Sequence, residues 1–278
     1  MSFRTNPLEN NPARKERTMK KIAVDQLCVE VTRRCNMSCM HCMRGEAQNV
    51  DMDFETFEKM MDVTESINII TFTGGEPSLN VPLMKKALDY VKEKEIPVYS
   101  IYIATNGKQM TNDFVECYLL WVGYCSCFDY GNEYTNISLS KDAFHEDIPH
   151  ENKEWIKRLP YYSSQKETDF KKYPVFLIGR AADNKSYFKE NGYRVYQKEN
   201  FYDAPFESFE NTFYFEELYL SSDGNILPVC DFAFKDTEKL SIGSVQDIQK
   251  FLDDLDAAKE DGYLTSKGGK NNGEKPDH

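Results

Sequence analysis

The chain has 278 residues, 40% of them hydrophobic and 13% aromatic; this excludes a disordered chain and fits one large domain or a domain with an extension. Its formal net charge of -12 disfavours a general affinity for nucleic acid, whose phosphates would repel it. No apolar run approaches the length of a membrane-spanning helix, so no membrane association is expected. Residues 1–21 open the chain as a flexible, locally basic arm (Arg14, Lys15, Arg17, Lys20, Lys21) without the apolar segment of a signal peptide. The eight cysteines are not spaced as a disulfide framework. Three are clustered, Cys125 and Cys127 are two apart, and Cys28, Cys117 and Cys230 stand alone. A reducing, cytoplasmic setting is expected.

Leu27 to Thr32 reads as the first strand and runs into Cys35-Asn36-Met37-Ser38-Cys39-Met40-His41-Cys42, a C-x3-C-x2-C pattern. So short a loop can wrap three thiolates around one corner of an inorganic cluster. A cubane normally takes four cysteines, so three would leave one iron open to a non-protein ligand. The same spacing also reads as a zinc knuckle, with His41 as a further ligand. Asp53 caps the first helix, whose Phe54, Phe57, Met60 and Met61 fall at helical spacing and read as core. Ile67 to Thr73 is the second strand and ends in Gly74-Gly75-Glu76-Pro77. Two glycines let the backbone approach a ligand closely, and Pro77 stiffens the exit.

The tricysteine loop, followed one βα unit later by Gly-Gly-Glu-Pro, resembles the radical S-adenosylmethionine (SAM) superfamily. The resemblance runs from about residue 25 to 180 and more weakly to about 245. In that family an aromatic residue usually precedes the last cysteine; His41 fills its place here. The resemblance implies a 4Fe–4S cluster on Cys35, Cys39 and Cys42. SAM would chelate the open iron, with Gly74, Gly75 and Glu76 beside its amino group.

Pro82 sits near the start of the second helix, which carries Leu83, Met84, Ala87, Leu88 and Val91. Val98 to Ala104 is the third strand and ends at Thr105-Asn106-Gly107. Asn-Gly is a turn signal in its own right; the resemblance adds that Thr105 and Asn106 lie beside the cofactor. Asn112 to Val122 is the third helix and Tyr134 to Leu139 the fourth strand. By resemblance, Ser138, Ser140 and Asp142 meet the SAM ribose, although Ser140 and Asp142 suit helix capping equally well. His145 is either a pocket or a surface residue. Residues 146–172 are polar, with a short helix around Trp155 and Ile156. Pro174 to Ile178 is the fifth strand. Arg180, just beyond it, suits the methionyl carboxylate of SAM as a fork of donors, or is a surface arginine.

Glu217 to Ser221 is a further strand, Ser222-Asp223-Gly224-Asn225 a hairpin turn, and Ile226 to Val229 pairs back before Cys230. Ser241-Ile242-Gly243-Ser244-Val245 then precedes a helix with Ile248, Phe251, Leu252 and Leu255. This order resembles the start of the SPASM and twitch extensions of peptide-modifying radical SAM enzymes. Those extensions carry several more cysteines. Here only Cys230 follows Cys127, which argues against auxiliary clusters. The expected fold is α/β, a partial (β/α)6 TIM-like barrel with a small C-terminal extension and its chemistry at the carboxyl ends of the strands. The division is an arm at 1–21, a core at 22–192, a sixth strand and extension at 193–264, and a disordered Gly-, Asn- and Lys-rich tail at 265–278.

The implied activity is reductive cleavage of SAM, giving a 5′-deoxyadenosyl radical that abstracts a substrate hydrogen. It needs a one-electron reductant such as a flavodoxin or ferredoxin. The truncated ending points to a peptide substrate, with a nucleotide or other small metabolite as the alternative. A zinc-binding interaction module is the reading from a different class. Cys230 is expected either to return a hydrogen atom to the substrate radical or to be a buried structural thiol. Cys125 and Cys127 read as packing residues.

Overall fold

The structure, a computed structural model, describes residues 19–128, 133–164, 174–197 and 203–268. The arm's Arg14, Lys15 and Arg17, residues 165–173 and the tail beyond 268 lie outside the described residues. The first half alternates: β1 (Lys21–Thr32), α1 (Phe54–Asp62), β2 (Thr64–Gly74), α2 (Val81–Glu93), β3 (Val98–Thr105), α3 (Asn112–Cys125), β4 (Asn136–Leu139), α4 (His150–Ile156), β5 (Tyr162–Ser164). Shorter elements follow: β6 (Val175–Phe176), α5 (Arg180–Asp183), α6 (Lys185–Glu190), β7 (Val195–Tyr196), β8 (Asp203–Pro205) and β9 (Glu207–Phe209). The chain closes with β10 (Thr212–Leu220), β11 (Asn225–Leu227), α7 (Thr237–Leu240), β12 (Gly243–Ser244), α8 (Ile248–Ala257) and β13 (Tyr263–Thr265). Among the described residues, no helix is long and apolar enough to cross a membrane.

The main sheet runs β12-β11-β10-β1-β2-β3-β4-β5, and every pair from β10 to β5 is parallel. This is the α/β partial barrel expected from the alternating pattern. Two placements differ from the sequence reading. The fifth parallel strand is the three-residue β5, whereas Val175 and Phe176 pair only with β7 in a separate two-stranded sheet. The Ile178 N–H bonds back to the Phe176 carbonyl at 2.9 Å, so the chain turns after two residues instead of extending. The last parallel strand, β10, lies beside β1, on the opposite side of the sheet from β5. Its Leu218 and Leu220 stand in register with Leu27 and Val29, so the apolar stripe of β1 continues across the pair.

The helices cover one face of this sheet. Asp53 accepts the Thr56 N–H at 2.7 Å and starts α1, which buries Phe57, Met60 and Met61. Trp121 of α3 is fully buried, meets Phe72 edge-on at 5.1 Å, and donates Nε1–H to the Met84 carbonyl of α2. Burying each such side chain contributes on the order of 1.5–3 kcal/mol. The alternate positions of the same strands are of the opposite kind. Gln26 bonds Thr71 at 3.4 Å, Tyr102 meets Ser138 at 2.9 Å, and Tyr219 donates to Glu30 at 2.7 Å. Parallel strands packed between two helical layers are apolar on both faces. Here one face carries polar side chains that bond to one another across the strands.

Candidate active site

The tricysteine loop leaves the carboxyl end of β1, where β2 reaches across to hold its root. The Gly75 N–H donates to the Thr32 carbonyl at 2.8 Å, and the Glu76 N–H to the Arg34 carbonyl at 2.9 Å. A Cβ on Gly74 would sit 2.0 Å from the Thr32 oxygen, and one on Gly75 would sit 2.2 Å from the Arg34 oxygen. Gly74 also has φ +131°, a backbone that side chains strain. The glycines are therefore required where two strand ends touch.

Glu76 is buried and fully engaged. Its Oε1 accepts from Thr105 Oγ1 at 2.7 Å and from the Ser78 N–H at 3.2 Å, and its Oε2 from the Asn106 N–H at 2.8 Å. Burial pushes its carboxyl upward, opposed by these donors. The acid thus ties the Gly-Gly-Glu-Pro segment to the Thr105-Asn106-Gly107 turn. Asn106 passes the connection on: its Nδ2 donates to Asn36 Oδ1 at 2.8 Å and lies 3.9 Å from Cys35 Sγ.

A second clamp comes from α5. The Arg180 N–H donates to the Cys42 carbonyl at 2.9 Å. The Arg180 guanidinium holds Glu46 with two bonds, 2.7 and 3.0 Å, and reaches the Cys39 carbonyl at 3.4 Å. Asn184 Nδ2 donates to the Met40 carbonyl at 3.1 Å. A third clamp was invisible to sequence reasoning. The Arg44 guanidinium lies over Phe232 (4.6 Å) and Tyr219 (4.9 Å), and Phe234 donates its N–H to the Arg44 carbonyl at 3.0 Å. Below it Glu30 accepts from Arg33 Nε (2.6 Å), the Ser222 N–H (3.0 Å), Ser222 Oγ (2.7 Å) and the Tyr219 hydroxyl (2.7 Å). A buried acid in the first strand, five residues before the first cysteine, was the one signal that could have pointed there.

Cys35, Cys39 and Cys42 are half-buried and line one recess with Arg33, Arg44, Gly75, Arg180 and Phe234. Burial and the neighbouring Cys42 and Cys35 sulfurs push the Cys39 thiol up to about 12, and burial raises Cys35 as well. Three thiols side by side, ringed by the guanidinium groups of Arg33, Arg44 and Arg180, suit a thiophilic metal group that displaces their protons. Three such donors fit a cubane with one iron left open. A larger cavity of about 630 Å³ lies toward the amino ends of the strands, lined by Asp25, Asn68, Tyr99, Tyr214 and Glu216 among others, away from the cysteines.

The residues expected beside the ribose divide. Ser138 is fully buried on the polar face, and Ser140 donates its N–H to the Thr105 carbonyl at 2.9 Å. The Asp142 carboxylate faces two imidazoles, His145 Nδ1 at 2.9 Å and His41 Nε2 at 3.1 Å, and accepts the Phe144 N–H at 2.8 Å. Burial opposes its ionisation, but His145 and His41 hold it well below the usual carboxylate range. His41 also packs on Phe144 at 5.1 Å. His145 is therefore joined to the cysteine loop through Asp142 and His41. Cys230 lies beside Cys28, sulfur to sulfur at 2.7 Å. Cys117 and Cys125 are buried on α3, while Cys127 is exposed.

Residues 29–159 match the radical SAM superfamily. The uncharacterized protein MJ0907 of Methanocaldococcus jannaschii is 40% identical over 70 residues, 24% of this chain and 24% of that protein. The GTP 3',8-cyclase of Clostridium acetobutylicum is 35% identical over 99 residues, 32% of this chain and 30% of that protein. The matched stretch thus spans well under half the length of these curated relatives. Among solved structures, native anSMEcpe with bound AdoMet and Cp18Cys peptide is similar at a TM-score of 0.48 and 14% identity, covering 86% of this chain and 82% of that one.

Proposed function

The chain is a radical SAM superfamily enzyme by its residues 29–159, and from that premise we propose that its substrate is a peptide held against the polar face of the sheet, below the cysteine loop. The family's cofactors are a 4Fe–4S cluster and SAM; when bound they supply radical chemistry at an unactivated carbon–hydrogen bond. Cys35, Cys39 and Cys42 hold the cluster. The backbone of Gly74 and Gly75 borders the SAM amino group, with Glu76 setting its position through Thr105 and Asn106. Arg180 turns from Glu46 toward the methionyl carboxylate. Ser138 and Ser140 border the ribose, and Asp142 acts indirectly, by fixing His41 and His145. Gln26 and Tyr102 offer donors and acceptors to a peptide backbone. Cys230 would return a hydrogen atom to the substrate radical, and the thiyl radical left on its sulfur would be quenched by a further electron from the reductant and a proton from solvent. A flavodoxin or ferredoxin supplies the electron.

The observation behind the peptide is the C-terminal unit. The hairpin of β10 and β11, then Cys230, β12 and α8, follows the order of the SPASM and twitch extensions. It packs along β1 and carries Phe234 to the cysteine recess. The second reading, a nucleotide or other small metabolite, is favoured by the similarity to GTP 3',8-cyclase over 32% of the chain. The test is anaerobic: reconstituted protein, SAM and dithionite, with 5′-deoxyadenosine measured by mass spectrometry. Cleavage stimulated by a peptide library and lost in the Cys35, Cys39 and Cys42 triple alanine variant supports the proposal. Stimulation by GTP but by no peptide transfers it to the second reading. Cleavage that survives in the triple variant refutes the assigned cluster site.

A further inference from the structure

Cys28 and Cys230 are 202 residues apart in sequence, yet their sulfurs are separated by 2.7 Å. That is less than 1 Å beyond the bond length of about 2.05 Å in a disulfide. The pair sits in a small cluster of its own with Tyr219, Leu227, Phe232 and Leu240. Cys28 stands in the middle of β1, paired on one side with Tyr219 of β10 and on the other with Thr71 of β2, so its backbone is fixed on both sides. It is 2% exposed. Cys230 is half-buried and opens the segment that leads to Phe232 and Phe234.

We propose that Cys28 and Cys230 form a reversible dithiol–disulfide couple whose state is transmitted to the cysteine recess through residues 230–234. The reaction partner is a low-molecular-weight disulfide, and the reverse reaction consumes two equivalents of the corresponding thiol. The Cys230 sulfur, the more accessible of the two, attacks one sulfur of the external disulfide and expels a thiolate. Cys28 then attacks the Cys230 sulfur of the mixed disulfide and expels the second thiolate. The two protein thiols are oxidised, one external disulfide is reduced to two thiols, and the two protons given up by the cysteines pass to them. Contact with Cys28, burial and Glu217 hold the Cys230 thiol above its ordinary range, which keeps the first step slow. The pair therefore stays reduced unless the surroundings turn oxidising for long.

The route to the recess is short. Two residues beyond Cys230, the Phe232 carbonyl accepts from Arg44 at 3.2 Å, and its ring underlies the same guanidinium. Two residues further, Phe234 bonds the Arg44 backbone, lies under Arg33 at 5.1 Å and lines the recess. Bringing the sulfurs to bonding distance shifts the start of this segment, and Arg44 is two residues past Cys42.

The test uses reconstituted holoprotein, so that Cys35, Cys39 and Cys42 are ligated. It is poised anaerobically at a series of oxidised-to-reduced glutathione ratios, acid-quenched, alkylated and mapped by mass spectrometry. The expected result is one cross-linked peptide pair, Cys28 with Cys230, that appears and disappears with the poise. Iron release to a chelator should differ at least threefold between the two forms, and this difference should vanish in Cys28→Ser. Failure of the pair to form at every poise in folded protein, or pairing of Cys230 with another cysteine, overturns the couple. A disulfide that forms without changing iron release overturns the transmission. These readouts are thiols and iron, so their failure is distinct from failure to find a peptide substrate; a protein that takes up no iron at all would instead count against the radical SAM site.

Discussion

Glu30 has no solvent around it and four donors in its place: Arg33, Tyr219 and both the N–H and hydroxyl of Ser222. Removing one partner of such a buried charge leaves the other uncompensated, so Glu30→Ala should cost about 3–5 kcal/mol in urea unfolding. A loss below about 1 kcal/mol would show that the network is not the anchor described. In sequence this glutamate read only as one polar position in an apolar strand. Arg33 is near, but Ser222 and Tyr219 are about 190 residues away and no local pattern announces them. The cysteines are the opposite case: their spacing alone set them together. Their titration has a sign that can be checked. The Cys39 thiol is raised to about 12, chiefly by burial and then by Cys42 and Cys35, so its protonated form is the one the apo fold favours. That stability is complete below the unfolded value of about 8.5 and is lost as pH climbs toward about 12. The metal-free protein should lose stability across that alkaline window, and Cys39→Ser should flatten the loss in a pH series of thermal melts. Cluster loading, which needs the thiolates, should run the other way and improve with rising pH.

At the scale of elements, the site is three clamps on one loop. The first was legible, because Gly-Gly-Glu-Pro after a strand is a strong local signal and its glycines answer a steric demand. Gly75→Ala places a Cβ 2.2 Å from the Arg34 oxygen, and a backbone contact cannot yield as a side chain can. The expected cost is about 1–3 kcal/mol, with reduced iron content after reconstitution. Unchanged iron content would remove the glycine from the loop's support. The second clamp was legible as a residue but not as an element. Pro174 to Ile178 has a strand's composition, yet the chain turns after Phe176 and leaves the parallel sheet. The actual fifth strand is three residues long, too short for periodicity to declare. Arg180 pairs with the exposed Glu46, where solvent screens the attraction. Arg180→Lys should therefore scarcely move the melting temperature while weakening SAM binding roughly tenfold in calorimetry. Equal SAM affinity in the two proteins would contradict its carboxylate role. The third clamp, through Arg44, Phe232 and Phe234, has no sequence signature because aromatic and arginine residues are common and their meeting is decided by topology.

For the whole molecule, the deciding feature is that β10 pairs with β1. The first strand is completed by the last parallel one, so the fold carries long-range contacts that close late and slowly. A chain ending before Thr212 should expose the edge of β1 and its apolar stripe. It is expected to elute as aggregates in size-exclusion chromatography, whereas a chain shortened only beyond residue 268 should elute as the full-length protein does. A compact truncated monomer would show that β1 needs no β10. The same topology bears on how the protein comes to be made. The tricysteine loop is synthesised early, but the groups that shape it arrive much later: Arg180 is 141 residues beyond Cys39, Asn184 is 144 beyond Met40, and Phe232 is 188 beyond Arg44. A nascent chain still on the ribosome presents three bare thiols with no cradle, open to whatever thiophilic ion is at hand. On the proposed cluster site, the groups that shape the loop are all in place only once the chain is nearly complete, so cluster insertion would follow synthesis.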